Sequence, residues 1–261
     1  MTIPFALTLT TLGLVGAFVA GLLGVGGAIV MVPLLLYAPP LLGLAEFDMK
    51  SVAGITMVEV LAAAASGVLA HARMHAVHGE LAWIGGLTMA VSSFAGAVAS
   101  HYVSGRALLL MFAVMATGAV ALLAARVETV AQPIFARAVT LARGRVIAVC
   151  LGVGGLAGLV GAGGAFLLVP LLIAVAGVPI RVTIGSSLAI IAMSAVTGFA
   201  GKVVTGQIPW APAVLVVVGA MPGAQLGALV SRRLSGERLR RVLLAVVALT
   251  ALRVWWDLLH P

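Results

Sequence analysis

Gly21-Leu-Leu-Gly-Val-Gly-Gly-Ala-Ile-Val-Met-Val-Pro-Leu-Leu35 has a near copy 137 residues further on, Gly158-Leu-Val-Gly-Ala-Gly-Gly-Ala-Phe-Leu-Leu-Val-Pro-Leu-Leu172. Gly21, Gly24, Gly26, Gly27 and Pro33 match Gly158, Gly161, Gly163, Gly164 and Pro170. Glycine is the most costly residue in a helix interior after proline. A glycine cluster inside an apolar stretch therefore predicts a helix that breaks. Two such clusters predict a duplicated assembly with two broken membrane helices, and such breaks commonly build the substrate site of transporters.

The rest of the chain is membrane material. It is 63% hydrophobic and 8% charged over 261 residues. A soluble domain of that size has too little core to hide so much apolar surface. The apolar segments run about Phe5–Leu23, Ala28–Leu44, Ser51–Ala70, Leu81–Ser100, Ala107–Ala124, Val146–Val160, Ala165–Val178, Val182–Gly201, Pro209–Val230 and Leu239–Leu259. Segments of about twenty residues fit full helical spans. They lack the two-residue alternation of a barrel strand. The net charge of +8 lies mostly in loops. That fits orientation by positive charge and contact with lipid, not nucleic acid. The one cysteine, Cys150, lies in an apolar run. It excludes an intrachain disulfide and a thiolate cluster, and no metal or cofactor is expected.

The duplication extends beyond the glycines. Lys50, Gly54, Thr56 and Ser66 match Arg181, Gly185, Ser187 and Thr197, 131 residues on, and Gly96 and Ser100 match Gly227 and Ser231. The division is residues 1–125 for the first repeat, 126–144 for a cytoplasmic connector and 145–261 for the second repeat. The basic residues reverse their bias between repeats. Arg73, Arg126, Arg137, Arg143 and Arg145 flank one side of the first repeat, against Lys50 and Arg106 on the other. Arg181, Arg232, Arg233, Arg238, Arg240 and Arg241 flank one side of the second, against Lys202 and Arg253. Basic loops favour the cytoplasm. Placing both basic sets inside makes each glycine-broken element a helical hairpin followed by three spans, and the odd count inverts the halves. Counting each broken element as a single span gives parallel repeats instead. The fold expected is an all-α polytopic membrane protein of two homologous repeats, inverted, in the cell (inner) membrane.

The twin Gly-X-Gly-Gly segments, each followed by Val-Pro-Leu-Leu, together with the duplicated plan, resemble the TauE/SafE sulfite exporter family. The resemblance covers about Gly13–Asp257. Ala28 and Ala165 stand where the commoner form has a third glycine. The resemblance implies transport of small sulfur-containing oxyanions, such as sulfite or organosulfonates, or of carboxylate anions, with the lipid bilayer as surroundings.

Helices that begin at Ala28 and Ala165 would present unsatisfied N–H groups and a partial positive charge, a setting for an anion. The candidate substrate residues are Gly24, Gly26, Gly27, Ala28, Gly161, Gly163, Gly164 and Ala165. Close helix packing is the other use of such glycines. The next helices add hydroxyls. Thr183, Ser187, Ser194 and Thr197 share one helical face, the matching face carries Thr56 and Glu59, and Ser186 adjoins it. Thr56, Ser186, Ser187 and Ser194 are taken as substrate contacts, with bonding to the helix's own carbonyls as the alternative. Glu59 lies mid-helix opposite Ile190 of the other repeat. An intramembrane carboxyl points to function by default, and proton coupling is the expectation here. His71, Arg73 and Lys202 are expected at a pathway mouth, where they would attract anions. Ser92, Gly96 and Ser100, matched by Gly223, Gly227 and Ser231, predict close helix packing, with a homodimer interface as one use. No Gly-X-X-X-X-Gly-Lys-Ser/Thr loop, Gly-X-Ser-X-Gly or His-Glu-X-X-His occurs. The protein is therefore expected to be a secondary transporter and not an enzyme, with a membrane subunit serving a separate ATPase as the alternative.

Overall fold

The computed structural model describes residues 3–23, 27–71, 78–124, 141–231 and 236–260. They form an all-helical bundle: α1 Ile3–Leu23, α2 Ala28–Leu41, α3 Met49–His71, α4 Gly79–Ala99, α5 Gly105–Ala124, α6 Arg143–Val160, α7 Ala165–Ala174, α8 Ile180–Val204, α9 Trp210–Ser231 and α10 Gly236–Leu259. Seven of these are long and apolar enough to cross a membrane. The chain is a multi-pass membrane protein. Outward-facing residues such as Leu7, Val91, Leu151, Val214 and Leu249 are exposed and apolar, as lipid contact requires. Trp83 and Trp210 are exposed near the starts of α4 and α9, and Trp256 near the end of α10, where indoles favour the interface.

The bundle is held by close seams. Helices in lipid gain little from hydrophobicity against each other, so they gain by approaching closely. A Cβ on Gly158 of α6 would overlap the Ser93 carbonyl of α4, and one on Gly96 of α4 would overlap the Gly155 carbonyl of α6. The seam between α1 and α9 repeats this chemistry. There, Gly13 and Gly21 lie on the carbonyls of Val216 and Ala224, while Gly219, Gly223 and Gly227 lie on those of Thr10, Leu14 and Phe18. Of the small-residue stripes read from the sequence, Gly96 packs α4 on α6, and Gly223 and Gly227 pack α9 on α1.

Helix directions follow from which residues meet. Phe5 packs on Phe47, Met49 lies beside Gly105, Lys50 donates to the His101 carbonyl, and Arg106 donates to the Leu258 carbonyl. The starts of α1, α3 and α5 and the ends of α4 and α10 thus share one end of the bundle, called here the Lys50 end. Tyr37, late in α2, reaches Asp257 of α10 at the same end. At the other end, the His78 backbone donates to Ser186 and Arg143 pairs with Glu80, joining the starts of α4, α6 and α8.

Candidate substrate site

The two glycine breaks are where the helices stop and restart. Helix α6 ends on Gly161 at φ 74°, Gly163 and Gly164 follow at φ 63° and 71°, and α7 starts at Ala165. These left-handed angles suit glycine and strain any residue with a Cβ. The corresponding break lies between α1 and α2. Gly24 and Gly26 fall outside the described residues. Gly27 is right-handed and directly precedes α2, which starts at Ala28.

Both restarted helices lack a side-chain cap. Gly27 and Gly164 stand at their N-caps without one, and their carbonyls accept the first intrahelical bonds, from Val30 and Met31 and from Leu167 and Leu168. The preceding amides belong to the unsatisfied set of a helix N-terminus. Ala28 and Ala165 are both buried, at 0% and 2% exposure.

The breaks, far apart in sequence, meet the same stretch of α3. A Cβ at Gly27 would fall on Oε1 of Glu59, one at Gly163 would lie 2.5 Å from Val60 Cγ1, and one at Gly161 would fall on the Ala53 carbonyl. Glu59 and Val60 are neighbours in sequence, so one turn of α3 separates and touches both breaks. Glu59 is fully buried, and neither carboxyl oxygen has a hydrogen-bond partner among the described residues. Buried polar atoms are nearly always bonded, so an orphaned carboxyl calls for an explanation. Its repeat counterpart Ile190 packs into α4 and α6 beside Gly85 and Cys150. The acid exists on one side only.

The hydroxyls divide by use. Thr56 donates to its own helix at Val52, 2.9 Å, and Thr183 to Pro179, 3.1 Å. Thr197 donates across to the Ala90 carbonyl of α4 at 2.7 Å. Ser186 accepts from the His78 backbone at 3.0 Å and so ties α8 to α4. Ser187 is also engaged. Ser194 is the exception: its Oγ is buried and unpartnered among the described residues. Its carbonyl accepts from Ser93. Thr56, Thr183, Ser186 and Thr197 are thus engaged within their own helix or across to α4, and among the described residues the buried polar side-chain atoms without a partner are those of Ser194 and Glu59.

Lys202 is not at an open mouth. It is fully buried in the last turn of α8, and its Nζ donates to Ser100 Oγ at 2.6 Å, Gln207 Oε1 at 3.1 Å and the Leu159 carbonyl at 3.3 Å. Arg73 lies outside the described residues, as does the side chain of His71, whose backbone ends α3. The sequence reading had no place for Gln207, which completes the Lys202 cluster. Its signal was weak: an amide just beyond the last turn of an apolar helix.

Against this geometry stand the comparisons with known proteins. The model of the family "Sulfite exporter TauE/SafE" matches residues 9–254. The chain belongs to the TauE/SafE family. A "Probable membrane transporter protein" of Xylella fastidiosa (strain 9a5c) is 32% identical over 248 residues, covering 94% of this chain and 92% of that one. The "Probable membrane transporter protein YunE" of Bacillus subtilis (strain 168) is 25% identical over 266 residues, covering 95% and 97%. No solved structure gives a significant match. As a TauE/SafE protein, the chain is a membrane transporter rather than an enzyme. The family match spans both glycine breaks, α3 and the Lys202 cluster.

Proposed function

We propose that this TauE/SafE protein is a secondary transporter that exports small sulfur-containing oxyanions, such as sulfite or organosulfonates, across the inner membrane. The anion binds between the N-termini of α2 and α7, at Gly27–Ala28 and Gly164–Ala165, and Glu59 carries a coupled proton. The observation that carries this reading is the meeting of both breaks on Glu59–Val60, with the Glu59 carboxyl unbonded beside Gly27. Two helix N-termini offer an anion amide donors and partial positive charge without a buried cation. A charged Glu59 repels that anion, and a protonated Glu59 does not. Proton and anion therefore travel together, in the direction set by their combined gradients. Ser194 supplies the free hydroxyl.

The protein reconstituted in proteoliposomes tests this. Sulfite, an alkylsulfonate, a dicarboxylate and sulfate are supplied in turn, with imposed proton or sodium gradients. Sulfite or the sulfonate should move, and a proton gradient should drive it. Movement of the dicarboxylate alone would assign a carboxylate carrier instead. Transport of none, restored by an added ATPase, would assign a permease subunit.

The reading includes inverted halves. Contacts at the Lys50 end support it: the start of α3 lies there and so does the end of its counterpart α8, through Gly54 against the Gln207 carbonyl. The start of α5 likewise meets the end of its counterpart α10. Phe5 of α1 and Tyr37 of α2 both contact residues of the Lys50 end, as a hairpin entered from that face requires. The connector 125–140 and the loop 232–235 lie outside the described residues, so their side is best read chemically. Cysteines introduced into each, in a Cys150→Ala background, should both label from the cytoplasm, while cysteines beside the two termini label from outside. Labelling of the two loops from opposite faces would exclude inversion.

A further inference from the structure

Lys202 is the buried cation that the transport reading leaves unused. Its three acceptors come from three helix ends: Ser100 caps the C-terminus of α4, Leu159 lies in the last turn of α6, and Gln207 follows the last turn of α8. Helix C-termini carry partial negative charge, so one ammonium binds three of them together. All three acceptors are neutral. Among the described residues no carboxylate lies within ion-pairing distance of Lys202, and the charged group whose field reaches it is Lys50, a like charge nearer the surface. The longest of the three bonds is the one to Leu159, two residues before the Gly161 break.

We propose that Lys202 is a second anion station, at the Lys50 end, and that an anion arriving there takes the ammonium from the Leu159 carbonyl and frees the end of α6. This rests on the reading of the protein as an anion transporter. An ammonium and an oxyanion attract as two full opposite charges, an attraction that a neutral carbonyl does not offer. Exchange of Leu159 for an anion is therefore favourable once the anion reaches the ammonium. Lys50 adds attraction from the surface side, and the Ser100 hydroxyl can turn from the Ala97 carbonyl to the anion. The released carbonyl belongs to the segment that leads into the Gly161–Gly164 turn. Loading at the Lys50 end thus loosens the element that forms half of the central site. A lysine kept only to satisfy helix ends has no such response, because no ligand competes for it.

Hydrogen exchange on the purified full-length protein, read by mass spectrometry over residues 155–162, tests this with sulfite as the probe. In the wild type, saturating sulfite should raise exchange there at least threefold. Lys202→Gln should show raised exchange without sulfite and no further response. Lys202→Arg, which keeps a cation, should retain both the low basal exchange and the response. Sulfite binding by calorimetry separates the two readings. If sulfite binds the wild type but exchange at 155–162 is unchanged, the station at Lys202 is overturned while the transport reading stands. If sulfite does not bind at all, the substrate assignment fails. The Lys202 station is then overturned as well, because no anion takes the ammonium from the Leu159 carbonyl.

Discussion

Glu59→Gln should abolish proton-driven anion movement in proteoliposomes while leaving anion binding intact. The fall in driven transport should be at least a hundredfold, which corresponds to about 2.7 kcal/mol on the coupled step. Glutamine matches the shape of a protonated glutamate, so the packing against Gly27 is preserved and the protein should fold. It cannot release a proton, so the cycle stops at the step where the carboxyl must ionise. Binding of an alkylsulfonate, whose charge is fixed between pH 6 and pH 8, should also lose its dependence on pH in the mutant, because the group that repels the anion when charged is gone. Calorimetric titrations at pH 6 and pH 8, paired with transport under an imposed gradient, check both halves. A mutant that keeps wild-type driven transport and wild-type pH dependence would make Glu59 a neutral packing residue held between α2 and α3.

The second large effect is expected at the breaks themselves. Gly27→Val and Gly164→Val should each weaken anion affinity by about thirtyfold, on the order of the ~2 kcal/mol that a favourable, partly buried helix N-terminus contributes to a bound charge. The two substitutions act differently. At Gly27 the new side chain lands on the Glu59 carboxyl and pushes it from its seat. At Gly164 it meets Met89 and Val153 and also forces a β-branched residue to φ 71°, a conformation such residues avoid. Gly164→Val should therefore also lower the yield of folded protein, whereas Gly27→Val should act mainly on binding. Gly152→Val is the control, since it lies on α6 with open space beside it. Gly13 cannot serve as one, because its missing Cβ makes room for the Val216 carbonyl. Calorimetry on purified protein separates affinity from expression. Wild-type affinity in both break mutants would assign the glycines to packing and move the anion elsewhere.

The helices were legible because the bilayer leaves the chain few choices. An apolar run of about twenty residues must close its backbone bonds within itself, so run length and charge placement define each span. The starts of α2 and α7 at Ala28 and Ala165 were legible for a local reason: the glycines before them disfavour helix, and an apolar helix-forming run follows. What the sequence could not show was which hydroxyls remain free. Thr56 and Ser186 have the right spacing and chemistry, yet one bonds its own helix and the other bonds the His78 backbone. Ser194 differs from them only in what lies opposite. Lys202 was misplaced for a similar reason. A lysine at the end of an apolar helix reads as interfacial, and nothing in its own segment reveals that the ends of α4 and α6 close over it. Gly13 and Gly219 carried no motif beyond being glycines, although they set how closely α1 and α9 approach.

The seam between α1 and α9 bears on how the protein is made. Helix α1 leaves the ribosome well before α9, the helix its glycines pack against. Until α9 is made, α1 must sit in the bilayer with Gly13 and Gly21 facing lipid. It can wait because it carries no Asp, Glu, Lys or Arg. The α4–α6 seam crosses the boundary between halves in the same way. Neither half can complete its own packing, so the two are born as dependents of each other. Translation that stalls after α5 would leave a set of inserted but undocked helices, exposed to membrane proteases until the second half arrives.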